Sequence, residues 1–310
     1  MAIQQPERVH VVQGARPDSS WVRVGRGLHR LPDHDAFLAN LRAWEAVLPA
    51  ESGFTHVTAL RARGLWVPQL PRHTPVFASM SRDNDRRRRP EIRTLRHTSA
   101  IRWTMVDGVR VAVAAEAVLV CARDLSPLDL VMVADGAVHL KACSVEELVR
   151  LSRARRWGAP ALRRILPLVD GRAESPWETV LRLFHRCSEV PVEPQVELFD
   201  GSGRFVARAD LLVRGRPWVH EYDGAGHRDQ ATHASDLRRD RALLGIGYVR
   251  RGFTAGDLTV RAAATMREVD EALGRAPDPA RLTRWRRLLG SSTLTPGGVR
   301  RLARRWHVDQ

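Results

Sequence analysis

The chain has 310 residues, of which 44% are apolar and 27% are charged. This composition excludes a disordered or fibrous protein, and the length predicts two domains of ordinary size. Lysine and arginine together number 50 against 35 acidic residues, which gives a formal net charge of +15. A charge of this size favours a polyanionic partner such as nucleic acid, although Lys141 is the only lysine and a GC-rich genome can also produce an arginine excess.

The cysteine pattern and the apolar runs of the sequence indicate the cellular compartment. Cys121, Cys143 and Cys187 form no Cys-x-x-Cys pair, and their odd number argues against a disulfide framework and for small buried apolar residues. The first residues carry no apolar signal segment, and the longest apolar run is interrupted by Glu116 and is too short to span a bilayer. We therefore expect a cytoplasmic protein with no membrane partner.

The N-terminal part shows strand and helix signals in alternation. The segment WVRVGRGLHRLP predicts a hairpin with Gly25 and Gly27 near its turn. Helical spacing predicts helices from Asp35 to Leu48 and in THVTALRARGLWVP. The basic stretch SRDNDRRRRPEIRTLRH is either a solvated loop or a phosphate contact.

Strands and helices are expected to continue in alternation from Val109 to Arg150. Ser144, with two glutamates in the following turn, has the pattern of a helix N-cap. The Gly- and Pro-containing segment RRWGAPALRRILPLVDGRA is expected to hold the domain junction in its second half. The whole chain is thus assigned to the mixed α/β class.

A clearer pattern begins at Ser175, which is predicted to cap a helix over SPWETVLRLFHRC. Three strands follow as an antiparallel meander, and a fourth joins the sheet across a helix. These strands are VEPQVELFD, RFVARADLLV, WVHEYD and YVRRGF, and the crossing helix is HASDLRRDRALLGIG. The segment AGDLTVRAAATMREVDEAL predicts a final helix, and the basic tail is expected to be a partly helical extension that is mobile or loosely docked.

Two carboxylates converge if the second and third strands form a hairpin. A four-residue loop from Arg214 to Pro217 places Asp210 directly opposite Glu221. Opposed Cβ atoms lie about 5 Å apart, and two carboxylates that close repel each other unless a cation lies between them. Because Mg²⁺ takes oxygen ligands and often only one or two carboxylates, the pattern predicts Mg²⁺, or Mn²⁺, held by Asp210 and Glu221.

Three further residues are candidates for the same site. Strand alternation places Asp223 on the face of Glu221, although Asp223-Gly224 is also an ordinary turn signal. His227 follows within reach of a bound nucleotide and could donate to a phosphate or relay a proton. Glu178 forms a capping box with Ser175, and it could also reach a metal through a water; the two interpretations can coexist.

These residues resemble the PD-(D/E)XK nuclease superfamily. The likeness lies in the helical Glu178, the Asp-x10-Glu-x-Asp pattern, Gly-x-x-His and DLRRDRALLGIGYVRRGF, and it covers about residues 173–273. It is closest to the small endonuclease domains related to very-short-patch-repair endonuclease, which are common in actinobacteria. The resemblance implies that Asp210 and Glu221 hold Mg²⁺. Asp223 stands where the superfamily usually has a lysine that orients or activates the attacking water, which leaves the general base unassigned.

An earlier region resembles a second family. From about Phe54 to Leu168 the chain is similar to the antitoxin-like part of actinobacterial proteins related to the AbiEi family of type IV toxin–antitoxin systems. The segments THVTALRARGLWVP, PVFASM, VDGVRVA and DLVMVADGAV carry this likeness. WVRVGRGLHRLP resembles only the wing of the winged helix that usually begins those proteins. The predicted regions are therefore 1–168, 173–275 and a basic extension over 276–310.

The expected function is metal-dependent hydrolysis of phosphodiester bonds in nucleic acid, with DNA as the expected substrate. The catalytic candidates are Glu178, Asp210, Glu221, Asp223 and His227. Arginines expected to neutralise phosphates are Arg208, Arg239 and Arg250, organised by Asp236 and Asp240. The Tyr222 carbonyl is a further candidate ligand. The alternatives are an inactive nuclease fold that acts as a DNA-binding regulator or antitoxin-like protein, and a partner-binding module of a defence system.

Overall fold

The computed structural model describes residues 11–80, 89–97, 100–224 and 230–307, and for residues 230–236 it describes the backbone alone. The chain divides into two compact units, one of Met1–Leu125, Leu140–Leu166 and Leu302–Gln310, the other of Ser126–His139 and Pro167–Arg301. The main junction thus falls beside the predicted one, whereas residues 126–139 and most of the basic extension belong to the second unit. No described helix combines the length and the apolar content that crossing a membrane requires.

Short strands and helices alternate up to residue 112, and helices follow. The strands are β1 (Val11–Gln13), β2 (Val22–Gly25), β3 (Leu28–Arg30), β4 (Gly53–Phe54), β5 (Val76–Met80), β6 (Ile92–Arg96), β7 (Trp103–Val106) and β8 (Val109–Ala112). The helices are α1 (Ala36–Glu45), α2 (His56–Ala62), α3 (Ala114–Cys121), α4 (Pro127–His139), α5 (Val145–Ser152) and α6 (Ala159–Ile165). The mixed α/β class is confirmed.

Several predictions for this half are confirmed. Strands β2 and β3 form the antiparallel hairpin, and β1 adds to its other side. Helix α1 begins after Asp35, whose carboxylate accepts hydrogen bonds from the backbone N–H groups of Phe37 and Leu38 at 3.0 and 2.9 Å. Ser144 caps α5 in a capping box with Glu147. Local side-chain-to-backbone bonds of this kind depend on a few adjacent residues, which is why the sequence reveals them.

Two predictions for this half are wrong. After β8 the chain continues as helices rather than as alternating strands, because every residue of α3 is buried and its apolar periodicity does not distinguish a helix from a strand. The end of the basic stretch, Ile92–Arg96, is not a loop but strand β6, which pairs in parallel with β5, and the phosphate contact stays a prediction. Residues 81–88 of that stretch lie outside the described residues.

The second unit contains the predicted meander. Its further elements are α7 (Pro176–Cys187), β9 (Val192–Phe199), β10 (Phe205–Val213), β11 (Trp218–Tyr222), α8 (Gln230–Gly245), β12 (Val249–Phe253), α9 (Ala255–Leu258), α10 (Ala262–Ala272), α11 (Pro279–Gly290) and the first part of α12 (Pro296–Trp306). The described sheet has the order β12-β11-β10-β9, with β12 parallel to β11 and the other pairs antiparallel. The predicted topology is confirmed.

The predicted last helix is two helices, and further helices follow it. The chain breaks between α9 and α10 at Thr259 and Val260, two β-branched residues of low helix propensity, of which Val260 is 91% exposed. In α11, which was expected to be mobile or loosely docked, Trp285 is fully buried and donates from Nε1 to the Leu258 carbonyl at 2.8 Å. Helix α11 is therefore an integral part of the second unit.

Phenylalanine in place of Trp285 is expected to lower the free energy of unfolding by about 1–2 kcal/mol. The change leaves the Leu258 carbonyl without its indole donor and leaves a small void beside Phe184, whose ring meets Trp285 edge-on at 5.3 Å. Urea unfolding measures the difference, with Trp157→Phe, at a ring that is 79% exposed, as the control. Equal stability of the two variants would contradict the packing of α11.

Candidate active site

Four residues form one row across the sheet of the second unit. Leu211 pairs with His220 and Leu212 with Val219, so the next pair outward is Asp210 with Glu221, the register predicted from the sequence. On the other side of β10, Ala209 pairs with Val196 and Leu211 with Pro194, which places Gln195 opposite Asp210. Glu221 is in turn paired with Gly252 of β12. Because directly paired residues share a face, Gln195, Asp210 and Glu221 lie side by side.

Asp210 is held in a partly buried and negatively charged environment. Its Oδ2 accepts a hydrogen bond from the Tyr222 backbone N–H at 3.1 Å. Burial raises the pKa of Asp210 to about 6, and the charges of Glu178 and Glu221 act in the same direction against this hydrogen bond and Arg239. The predicted carboxylate repulsion is thus present, and it comes from Glu178 as well as from Glu221.

Glu178 reaches this row from the first turn of α7. Ser175 Oγ caps the helix by accepting from the Glu178 backbone N–H at 3.2 Å, as predicted. The Glu178 carboxylate, however, accepts from the Glu174 backbone N–H at 2.8 Å and from Gln195 Nε2 at 2.9 Å, instead of bonding back to Ser175. The capping-box interpretation of its side chain is therefore wrong, and the carboxylate is directed toward the sheet.

Gln195 is the site residue that the sequence did not reveal. Its backbone has φ of 55°, a left-handed conformation that costs a non-glycine residue about 1 kcal/mol or more and that persists where surrounding contacts enforce it. Its side chain links the Glu178 carboxylate to β9. The alternating pattern of VEPQVELFD assigns Gln195 to a strand but says nothing of a partner that lies 17 residues earlier on a helix.

Glu221 is bound by two arginines. Its side chain is only 6% exposed, and its two oxygens lie 2.6 Å from Arg239 Nη2 and 2.5 Å from Arg250 Nε. Arg239 comes from α8 and also donates to the Arg208 carbonyl at 2.7 Å. The two cations neutralise the carboxylate that was predicted to hold a metal with Asp210.

Arg250 connects Glu221 to Asp223. Its Nη2 lies 2.5 Å from Asp223 Oδ1 and its Nη1 lies 3.5 Å from Asp240 Oδ1, so one guanidinium contacts three carboxylates. Burial lowers the pKa of Arg250, but the hydrogen bond and charge of Glu221 and the charges of the two aspartates outweigh it and raise the pKa. Glu221 and Asp223 thus lie on one face, as strand alternation predicts, and Asp240 helps to position an arginine, as expected.

Gly252 leaves the space that Asp223 occupies. A Cβ atom at this position would overlap the Asp223 carboxylate, so any larger residue must displace that side chain. Alanine in place of Gly252 is expected to break the contact of Asp223 with Arg250, to lower the free energy of unfolding by about 1 kcal/mol and to reduce any cleavage roughly tenfold. Thermal unfolding and a nuclease assay measure the two effects.

Gly201→Ala is the matched control for this prediction. Gly201 lies in the turn between β9 and β10, and no atom outside its chain neighbours comes within 4 Å of a Cβ built on it. The control should keep wild-type stability and cleavage. If Gly252→Ala behaves like the control, the position of Asp223 does not matter to the site.

An open cleft lies beside Asp210. It has a volume of about 430 Å³ and is lined by Glu174, Glu197, Phe205, Val206, Ala207, Arg208, Asp210 and Arg239. Arg208 projects into this region and lies 2.6 Å from the Glu174 carboxylate, with both side chains more than 40% exposed. Phe205 is 54% exposed at the same cleft. Cations, one aromatic ring and a carboxylate of raised pKa therefore face a common space.

The remaining predicted residues lie in different environments. Arg208 and Arg239 line the cleft, whereas Arg250 is bound among carboxylates and is 17% exposed. His227 and the side chain of Asp236 lie outside the described residues, so their roles stay predictions. His220 of β11 is buried, and its Nδ1 lies 2.6 Å from His185 Nε2 of α7.

The fit of a divalent cation depends on which carboxylates are considered. Asp210 and Glu178 supply hard oxygen ligands with unmatched negative charge, which is the donor chemistry that Mg²⁺ and Mn²⁺ prefer. Glu221 fits only if it gives up an arginine contact. The part of the chain that the structure describes contains no group of three or more His, Cys, Asp or Glu side chains arranged to hold a metal ion. Two carboxylates with several waters are the arrangement that these residues suit.

No protein-family model, no curated protein and no solved structure matches the chain.

Proposed function

We propose that the protein is a Mg²⁺-dependent endonuclease that hydrolyses phosphodiester bonds, with DNA as its substrate. The observation that carries the proposal is the row formed by Gln195, Asp210 and Glu221, with Glu178 directed into it from α7. Carboxylates are not brought together on a sheet face without a cation unless something compensates their repulsion. The negative charge of Glu221 is compensated by arginines. The raised pKa of Asp210 supports a negative charge on that carboxylate that is not fully compensated.

Each residue has a role in the proposal. Asp210 and Glu221 hold the ion, and Glu178 or Asp223 orients the attacking water. When bound, Mg²⁺ would polarise the scissile phosphate and lower the pKa of a water. Arg208 and Arg239 line the cleft and would neutralise phosphates on either side of the scissile bond. Arg239, which is 40% exposed, can exchange its contact with Glu221 for a phosphate. His227 is assigned to the phosphate or the leaving oxygen on sequence grounds alone.

A cleavage assay tests the proposal. The purified full chain is incubated with duplex, single-stranded and mismatched DNA in Mg²⁺, in Mn²⁺ and in EDTA. We expect cleavage of at least one substrate with a divalent ion and none in EDTA, and loss of that cleavage in Asp210→Asn and Glu221→Gln. Glu193→Gln is the matched control, because Glu193 is an exposed carboxylate of β9 whose ion pair with the exposed Arg214 is 3.7 Å long. Equal cleavage by all three variants would refute the metal assignment.

One observation favours a second function. Both oxygens of Glu221 are already bound by arginines, as in a nuclease fold that has lost its metal and persists as a DNA-binding regulator or antitoxin-like protein. Such a protein binds DNA without Mg²⁺, leaves it intact and shows a steep salt dependence of affinity. Intact substrate at every divalent-ion concentration, together with tight binding in EDTA, would support this second function over the first.

A further inference from the structure

A second cleft lies in the first unit. Its volume is about 300 Å³, and it is lined by Thr94, Leu95, Arg96, His97, Val120, Arg123, Arg156 and Trp157. Strand β6 contributes one wall, and the end of α3 and the turn before α6 contribute the others. The cleft therefore combines an apolar floor with three arginines, one histidine and one tryptophan. The basic stretch singled out in the sequence ends in this wall.

The charges of this cleft are only partly compensated. Arg156 lies 2.7 Å from the Glu116 carboxylate. Arg96 and Arg123 make no ion pair with a carboxylate in the described part of the chain. Asp124, whose charge acts on Arg123, is bound by Arg305 Nε at 2.6 Å and by Trp306 Nε1 at 3.0 Å. Positive charge is thus in excess around the cleft.

The pKa shifts of Arg123 and His97 agree with an excess of positive charge around the cleft. Burial lowers the pKa of Arg123, and Asp124 offsets this only in part because Arg305 and Arg93 add positive charge. Burial and the charges of Arg156 and Arg123 lower the pKa of His97 to about 4, so the imidazole is neutral at pH 7. Its Nε2 is buried and has no hydrogen-bond partner among the described residues. An anion in the cleft would relieve the repulsion among these positive charges.

Trp157 adds an aromatic surface to the charged cleft. Its side chain is 79% exposed, and Arg123 Cζ lies 5.3 Å from its ring centroid. The ring is held by the turn at Gly158, which has φ of 93° and where a Cβ atom would overlap the Leu119 carbonyl. The burial of apolar surface during folding does not account for the exposed position of this ring. An exposed ring beside arginines that make no ion pair among the described residues is the combination that binds a base and its phosphate.

We propose that this cleft binds a nucleotide unit of single-stranded nucleic acid, with the base stacked on Trp157 and the phosphate held by Arg123 and Arg96. This site binds through stacking and charge and therefore has little sequence preference. It does not depend on cleavage, and it would serve either an endonuclease or a regulator.

Fluorescence anisotropy with an oligodeoxythymidylate of about 12 nucleotides tests the proposal, since such sites span about 4–16 nucleotides. Measurements in EDTA exclude cleavage, so that failure here and failure of the nuclease proposal are separate results. Trp157→Ala is expected to weaken binding roughly 5- to 100-fold without changing its salt dependence. Arg123→Gln is expected to weaken binding and to reduce the slope of log affinity against log salt by about 0.7, because one phosphate contact is lost.

A second arginine–tryptophan pair supplies matched controls. Arg216 lies 5.5 Å from the ring centroid of Trp218 at the β10–β11 turn, in the other unit. Trp218→Ala and Arg216→Gln should bind the oligonucleotide like the wild type. Wild-type binding by Trp157→Ala and Arg123→Gln would overturn the proposal, as would equal losses in the control pair.

Two small competitors separate the contribution of base stacking from that of phosphate binding. Thymidine monophosphate and inorganic phosphate each compete with the labelled oligonucleotide in the same assay. We expect the nucleotide to compete more strongly than phosphate with the wild type, and the two to become equal in Trp157→Ala. Equal competition with the wild type would mean that the cleft holds only an anion, and the stacking role of Trp157 would be wrong.

Discussion

Asparagine in place of Asp210 is expected to abolish cleavage and, in the absence of divalent ions, to make the protein more stable. The loss of cleavage should be on the order of a thousandfold, about 4 kcal/mol of barrier, because a ligand of the proposed ion is removed. The gain in stability has a different origin. Asn has nearly the same shape and can still accept from the Tyr222 backbone N–H, but it carries no charge beside Glu178 and Glu221.

The pH dependence of this gain follows from the pKa of Asp210. The folded value of about 6 is raised above the ordinary 3.8, so the folded protein holds this proton more tightly than the unfolded chain does. The stability that Asp210 contributes is therefore complete below pH 3.8 and is lost as the pH rises through about 6. Relative to the wild type, the variant should gain almost nothing at pH 4 and about 2–3 kcal/mol at pH 8.

Urea unfolding in EDTA at pH 4, 6 and 8 measures the difference, with Glu193→Gln as the control at an exposed acid. The same preparations enter the cleavage assay with Mg²⁺. A variant that is both inactive and more stable shows that Asp210 serves chemistry at the expense of the fold, as functional residues often do. A variant that is less stable at pH 8 would contradict the uncompensated charge at Asp210.

The sheet of the second unit could be predicted because its determinants are local. Alternating apolar residues define each strand, and the four residues from Arg214 to Pro217 fix the register of the hairpin. Once that register is fixed, the opposition of Asp210 and Glu221 follows by counting. The fourth strand joins the sheet across α8, as the order of the elements predicts, and it is parallel to β11.

The partners of the carboxylates could not be predicted, because they depend on how distant elements pack. Arg239 reaches Glu221 from a helix 18 residues later, and Arg250 reaches it from a strand 29 residues later. The sequence assigns both arginines to the region of the site and cannot say whether they face phosphates or acids. The same limit applies to Gln195, whose partner lies on α7.

The N-terminal half was less predictable for another reason. Helix α3 is buried around its whole circumference, so it has no polar face to set its period, and a strand and a helix look alike in such a run. The C-terminal tail was hard to predict because its many arginines suggest a solvated extension. Trp285 and Leu289 are nevertheless enough to bury one side of α11.

Methionine in place of Arg250 is expected to lower the free energy of unfolding by about 3–5 kcal/mol. The change leaves Glu221, whose side chain is 6% exposed, with one of its two cations and leaves Asp223 without its arginine. A buried carboxylate that loses part of its compensating charge is expensive, whereas an exposed one is solvated by water. Arg239→Met should cost less than about 1 kcal/mol, because Arg239 is 40% exposed and water can replace it beside Glu221.

The double variant Arg250→Met/Glu221→Gln separates this electrostatic effect from lost packing. If the destabilisation arises from the charge of Glu221, which Arg239 alone then compensates, neutralising that residue should recover most of it, and the two single changes should be strongly non-additive. Urea unfolding of the four proteins of this cycle in EDTA gives the coupling energy. Additive effects would mean that Arg250 stabilises the protein by packing of its aliphatic stem, and that Glu221 is not held in its buried position by charge.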